Sequence, residues 1–229
     1  MKRIAFILVI LNFMLVQAQE GEIIYKTAFT NTSNDNTEIG KKMRKELLLM
    51  EFSLRYNAKE SYFERLPHIA EDDLSANLAA IVSGVPNNWY QHIEERKSFY
   101  NKKVAGKTYL VVFDDKMTGW ELSNETKKIE EYTCYKATIR HYNERIEKEY
   151  FVEAWYTPEI PISYGPGGYG GLPGLILELR YDQTIFISKK ITLNPKRGIK
   201  DYPMLSIDNP VNHKEISKLM RKNRKVTPD

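Results

Sequence analysis

GPGGYGGLPGLILEL, residues 165–179, sets six glycines and two prolines around one tyrosine ahead of a short apolar run. How those glycines are read decides the fold. Gly165, Gly167 and Gly170 satisfy the spacing G-x-G-x-x-G, which in a dinucleotide-binding unit follows a buried strand, opens a helix and wraps pyrophosphate. Here Pro173 and Gly174 interrupt the stretch and Leu175-Ile176-Leu177 continues with strand character, so the match is formal only. The complete phosphate-loop pattern G-x-x-x-x-G-K-[ST] does not occur either. A structural reading explains more of the residues. Pro158 and Pro161 interrupt strand pairing after Trp155 because neither can donate to a ladder. The glycines then supply backbone angles that other residues resist, and Pro173-Gly174 suits a tight turn. Residues 158–174 are therefore expected to form a long crossing loop between two strands. Loops of that length in compact domains usually serve a purpose. Tyr164, Tyr169, Gly171, Leu172, Pro173 and Gly174 become the first candidates for ligand or partner contact, with pure architecture as the alternative.

Working outward, the patterning is mainly that of strands. Ile23, Tyr25, Thr27 and Phe29 alternate. Residues 47–56 repeat at period two and, after a turn at 57–60, residues 61–66 return the chain as a hairpin. A polar loop is expected at 31–36. Two further strands are expected within 89–113, the second at 107–113, with turns at Ala105-Gly106 and 114–119. Residues 133–142 and 149–156, joined at Asn143-Glu144, form one pair; 175–181 and 184–193, turning at Asp182-Gln183, form the next. One internal helix is expected over 71–83, where Leu74, Leu78, Ile81 and Val82 recur at helical spacing before Gly84 and Pro86. A second, basic helix is expected from about residue 212. Its apolar stripe of Ile216, Leu219 and Met220 suits either docking on the sheet or peripheral contact with anionic lipid. Many strands on short turns, with one helix inside and one at the end, describe a mainly β, α+β fold: a curved antiparallel sheet or half-barrel.

Residues 1–18 read as a secretory signal peptide. Lys2 and Arg3 precede an apolar run at 4–16 that ends in Val16-Gln17-Ala18, and its 13 residues fall short of the roughly 20 that span a bilayer. Cleavage leaves Gln19 first and residues 19–229 as one domain. Cys134 is the only cysteine, so neither an intrachain disulfide nor a lipidated amino-terminal cysteine is expected. Two of the 34 basic residues and none of the 30 acidic ones lie in 1–18, which lowers the formal net charge from +4 to +2. That balance argues against nucleic acid as a partner.

Gly-Leu-Pro-Gly-Leu-Ile, residues 171–176, is the signature of the GLPGLI family, and other motifs accompany it. Trp120-Glu121, Lys128-Ile129, Tyr132, Cys134, Lys136-Ala137, Ala154-Trp155-Tyr156-Thr157, Ile160-Pro161-Ile162 and Gly165-Pro166 follow in that family's order. The chain resembles this family from about Gly21 onward, most specifically over 120–178. Glu130 stands where the family has glycine, and Gly167-Gly168-Tyr169 replaces its tryptophan-containing segment. The resemblance implies export to the envelope of Bacteroidetes-type bacteria, often beside outer-membrane receptors, with no assigned activity and no catalytic residues to transfer.

Catalytic patterns are sparse. Cys134 and His141 fall on opposite faces of a regular strand, which suits a buried thiol better than a nucleophile. His68, His92, His141 and His213 lack zinc spacing, and no serine sits in a G-x-S-x-G elbow. No cofactor and no metal are expected. On the 133–156 pair, Tyr135, Ala137, Ile139, Val152, Ala154 and Tyr156 should face the core. Lys136, Thr138, Arg140, Glu149, Phe151, Glu153 and Trp155 form a mixed face, with Glu149 and Glu153 as cross-strand partners for Arg140 and Lys136. Lys136, Glu153 and Trp155 therefore join the candidate binding residues. Two function classes stand. The favoured one is a noncatalytic exported protein, periplasmic or outer-membrane associated, that binds an extended or apolar ligand or a membrane-protein partner beside loop 158–174. The other is a periplasmic hydrolase whose carboxylate catalysts the sequence does not identify, Glu153 with Glu178 being one example of the pairs any acidic chain offers.

Overall fold

Strand β1, Gly21–Phe29, occupies the middle of the sheet, antiparallel to β2, Glu51–Tyr56, on one side and to β11, Thr184–Leu193, on the other. In the computed structural model, which describes residues 20–30, 37–143 and 147–224, two meanders leave this centre. β3 (Glu60–Arg65), β4 (Trp89–His92), β5 (Lys97–Val104) and β6 (Lys107–Phe113) follow β2, and the short β12 (Pro210–Asn212) adds parallel to β6. β10 (Leu175–Tyr181), β9 (Lys148–Thr157), β8 (Tyr132–Asn143) and β7 (Glu121–Ile129) run outward from β11. The leader at 1–18, the polar loop at 31–36 and Glu144 of the expected β8–β9 turn lie outside the described residues.

This order dictates curvature. β6 and β7 are consecutive in the chain yet ten strand spacings apart in the sheet, roughly 48 Å if it were flat. The eight peptide steps from Phe113 to Glu121 reach at most about 28 Å. The sheet therefore curls until its ends approach one another, and residues 114–120 bridge the mouth. It stays open, because edge strands β12 and β7 do not pair. The expected curved antiparallel sheet is the fold observed.

Inside the curve lies an apolar core in which Phe52 stacks on Phe63 at 5.3 Å and Phe186 meets Phe52 edge-on at 5.2 Å. Loop 158–174 joins this core. Tyr164, Tyr169 and Leu172 are buried, and a 3-10 turn at Pro166–Gly168 takes the place an α-helix would hold in a nucleotide site. Its amides serve the protein itself: Gly170 N–H donates to Lys116 O at 3.2 Å and Gly171 N–H to Ser163 O at 2.8 Å. Tyr169 and Gly174 N–H likewise donate to Pro166 O and Leu172 O, at 3.1 and 2.8 Å. The glycines redirect a β chain.

Three helices complete the fold among the described residues. α1, Glu38–Leu49, has no counterpart in the sequence reading, which began a strand at residue 47. Thr37 caps it by accepting from Gly40 N–H at 3.1 Å, and only at Met50 does the backbone become extended. The alternation of Leu48, Met50 and Phe52 misled because it straddles that junction: Leu48 is exposed while Met50 and Phe52 are buried. α2, Asp73–Val82, is capped by Asp72 accepting from Ser75 N–H at 2.8 Å. It buries Ser75 and Ala79 and leaves Leu74 and Ile81 exposed, so its apolar stripe points away from the core. α3, His213–Arg224, docks Ile216 against Val104 and Val111, and Leu219 and Met220 pack there too, which uses within the fold the stripe that could otherwise meet lipid. Among the described residues no helix is long and apolar enough to cross a membrane.

β7 is a further strand that the sequence did not declare, since polar and charged residues fill it. Like many edge strands it carries lysines and an irregular register that discourage further pairing. The turn from β7 to β8 holds Glu130 at φ +51, a left-handed conformation that L residues resist. Glu130→Gly is expected to stabilise the protein by about 0.5 kcal/mol, the relief of roughly 1 kcal/mol of backbone strain less the added freedom of the unfolded chain. A thermal midpoint that falls in the variant would refute this.

Candidate functional site

Consecutive residues Asp115, Lys116 and Met117 lie where the link from β6 to β7 crosses the mouth of the curved sheet. Met117 is buried, and Lys116 turns into a cleft of about 250 Å³. Trp89 from β4, Tyr100 from β5, Phe113 from β6, Tyr150 from β9 and Tyr181 from β10 supply aromatic walls, and the glycine-rich loop adds Tyr169. His141 enters from β8 and His213 from the first residue of α3, where it stacks on Phe113 at 5.0 Å. Gly168 makes the arrangement possible: a Cβ there would lie 2.4 Å from the Trp89 ring, so only glycine lets the loop backbone reach that indole.

Lys116 is the unusual member. Its Nζ lies 3.6 Å from the Tyr169 ring centre and 4.5 Å from that of Trp89, and donates to Gly167 O at 3.1 Å. Among the described residues no carboxylate pairs with it, because the Asp115 carboxylate turns to His141, with Oδ2 3.6 Å from Nδ1. Burial among the rings pushes the Lys116 ammonium down to about 7, against the opposing pull of Asp115. His141 also titrates below its ordinary value, chiefly through burial and further through the Lys116 and His213 charges, with Asp115 again opposing. His141 is therefore neutral at pH 7. The neighbouring carboxylate favours the tautomer with the proton on Nδ1, which leaves Nε2 as an acceptor.

Three lining residues carry buried polar atoms without a hydrogen-bond partner among the described residues: His141 Nε2, Asp115 Oδ1 and Trp89 Nε1. Orphaned polar atoms are uncommon in folded proteins and normally find a protein group, a water or a ligand. Here residues that carry an acceptor nitrogen, a carboxylate oxygen, an indole donor and an amine line one aromatic cleft. That set suits a small molecule with an apolar body and one or two oxygen functions.

The residues singled out from sequence fall in three places. Tyr169 is in the cleft wall. Tyr164, Gly171, Leu172, Pro173 and Gly174 belong to the loop, where Tyr164 packs on Tyr56 at 6.2 Å, Leu172 is buried and Pro173 is exposed. Lys136, Glu153 and Trp155 gather on the other face of β8 and β9: Lys136 pairs with Glu153 at 3.3 Å and Trp155 Nε1–H donates to Glu153 at 3.0 Å. Arg140 and Glu149 approach to 3.8 Å, as the cross-strand reading expects. Tyr135 departs from its expected core position and is 37% exposed, whereas Trp155 and Cys134 on the mixed face are buried. Burial pushes the Cys134 thiol up to about 11, and the odd spacing of Cys134 and His141 along β8 sets them on opposite faces. Lys116, Asp115, Trp89 and His213 carry no local signal of a site. They come from separate segments, and only the curl of the sheet assembles them.

Comparisons bear on the same region. Residues 140–178 match the family model Porph_ging, described as a protein of unknown function. That stretch carries His141, Tyr150, Tyr169 and the whole glycine-rich loop. No curated protein matches the sequence. Two solved structures of PNGF-II, in C2 and P21 crystal forms, share the fold with TM-scores of 0.52 and 0.53 at 13% and 15% identity. Each likeness covers 90% of this chain and 34% of that one, so this chain spans about a third of their length.

Proposed function

We propose that this chain is a ligand-binding protein of the exported cell envelope, and that its site is the aromatic cleft at Lys116. The convergence of His141 Nε2, Asp115 Oδ1 and Trp89 Nε1, all buried and unpartnered, carries the reading. Export is supported by the leader at 1–18, and an envelope setting by the GLPGLI-like motifs. The glycine-rich loop serves this site as a wall through Tyr169, in place of an open binding surface of its own. Its buried backbone leaves little else for a ligand to touch. The hydrolase alternative draws no support from Glu153 and Glu178, since lysines at 3.3 Å and 2.7 Å already neutralise them.

A screen of small aromatic acids and alcohols by saturation-transfer NMR tests the proposal. Binders are expected for the intact protein, and His141→Leu or Asp115→Asn should weaken them about tenfold, as befits loss of a buried polar contact. Equal binding by folded variants, confirmed by unchanged thermal midpoints, would place the ligand elsewhere.

A further inference from the structure

We propose that Lys116 is a reactive amine that condenses with the carbonyl group of an aldehyde or ketone held in the cleft. The inference rests on the binding reading above and names the chemical class that the site takes. Three observations combine. Lys116 points into a cleft of about 250 Å³ and donates to Gly167 O, and among the described residues no carboxylate is paired to it. An ammonium so placed lacks the counter-ion that normally holds a partly buried lysine in its protonated form. His141 lines the same cleft, its buried Nε2 has no hydrogen-bond partner among the described residues, and the Lys116 charge disfavours its protonation. Aromatic faces at 3.6 and 4.5 Å also favour the cationic product, because a protonated imine keeps its positive charge where the ammonium held it.

The step balances without a redox partner. The neutral Nζ adds its lone pair to the carbonyl carbon as the C=O π bond opens, and the oxygen takes a proton from solvent water, which gives a carbinolamine once nitrogen has released one of its own. His141 Nε2 accepts the proton released from nitrogen and returns it to the hydroxyl, which leaves as water while the C=N bond forms. Burial of lysine among apolar groups is a recognised route to an amine nucleophilic near neutral pH.

Benzaldehyde, whose ring matches the aromatic walls, is the probe, with cyanoborohydride to trap any imine on the full chain. One benzyl group per molecule should map to Lys116 by peptide mass spectrometry and appear about tenfold faster than on any other lysine, since ordinary lysine amines stay protonated at neutral pH. The labelling rate should rise between pH 6 and 8, following a group that titrates at about 7. Lys116→Met should lose this label, and excess benzyl alcohol, which has the ring but no carbonyl, should protect Lys116 in the unaltered protein. Labels spread evenly over surface lysines would overturn the inference. If benzyl alcohol binds the cleft while Lys116 stays unlabelled, the carbonyl chemistry fails and the binding reading stands. If neither compound enters, both fail. Mapping on the unaltered protein decides the matter even where Lys116→Met does not fold.

Discussion

Gly171→Ala is expected to destabilise the protein by about 3–5 kcal/mol, the upper range for a single substitution. Gly171 sits at φ +79, and a Cβ there would lie 2.0 Å from Met117 O and 2.8 Å from its carbonyl carbon. Backbone, unlike the tip of a side chain, cannot swing aside. The glycine-rich loop and the 114–120 link would have to separate, and three hydrogen bonds hold them: Gly170 N–H to Lys116 O at 3.2 Å, Trp120 Nε1–H to Gly170 O at 2.8 Å and Lys116 Nζ to Gly167 O at 3.1 Å. Each such bond contributes about 1 kcal/mol net, added to roughly 1 kcal/mol of left-handed strain. Gly106 provides the control. It has nearly the same angle, φ +80, but a Cβ there meets nothing within 4 Å, so Gly106→Ala should cost only about 1 kcal/mol. Urea unfolding of both variants separates strain from collision. Equal losses would mean that the loop and the link do not clamp one another.

Arg55→Met is the second large effect, expected at about 3 kcal/mol. Arg55 is 3% exposed on β2, where its guanidinium donates to Glu64 and to the carbonyls of Lys200 and Asp201 at 2.7 and 2.8 Å. The Tyr62 and Tyr202 rings lie 5.3 and 5.8 Å from it. Removing one partner of a buried pair costs about 3–5 kcal/mol because the other charge stays behind. The lower end applies, since the Glu64 side chain keeps 27% of its exposure and water can reach it. The effect should also be local. Residues 199–203 lose one of their anchors, while Ser206 remains tied to Asn101 through two bonds of 2.8 and 2.9 Å. Hydrogen exchange should therefore quicken at 199–203 and hold at 206–209. Uniform quickening along the whole strap would show that Arg55 supports the sheet globally.

Legibility followed the range of the interactions involved. The 133–156 pair, the 175–193 pair and α3 could be read because their side chains alternate or recur at a fixed period beside a polar turn. α1 was missed where a helix ran into a strand without a breaker, and β7 where an edge strand carries charge in place of an apolar face. Tyr169 was found through its glycine neighbours. Lys116 was not, since a lone lysine in a turn looks like any solvated one.

The order of residues alone established the mainly antiparallel β class, the direction-changing role of 165–174 and the implausibility of a phosphate cradle there. Those conclusions rest on backbone angles and periodicities confined to a few neighbouring positions. The curl that brings β6 opposite β7, the burial of the glycine-rich loop and the meeting of Lys116 with His141, Asp115 and Trp89 came only from tertiary structure. Each depends on contacts between residues tens of positions apart, which no local pattern encodes.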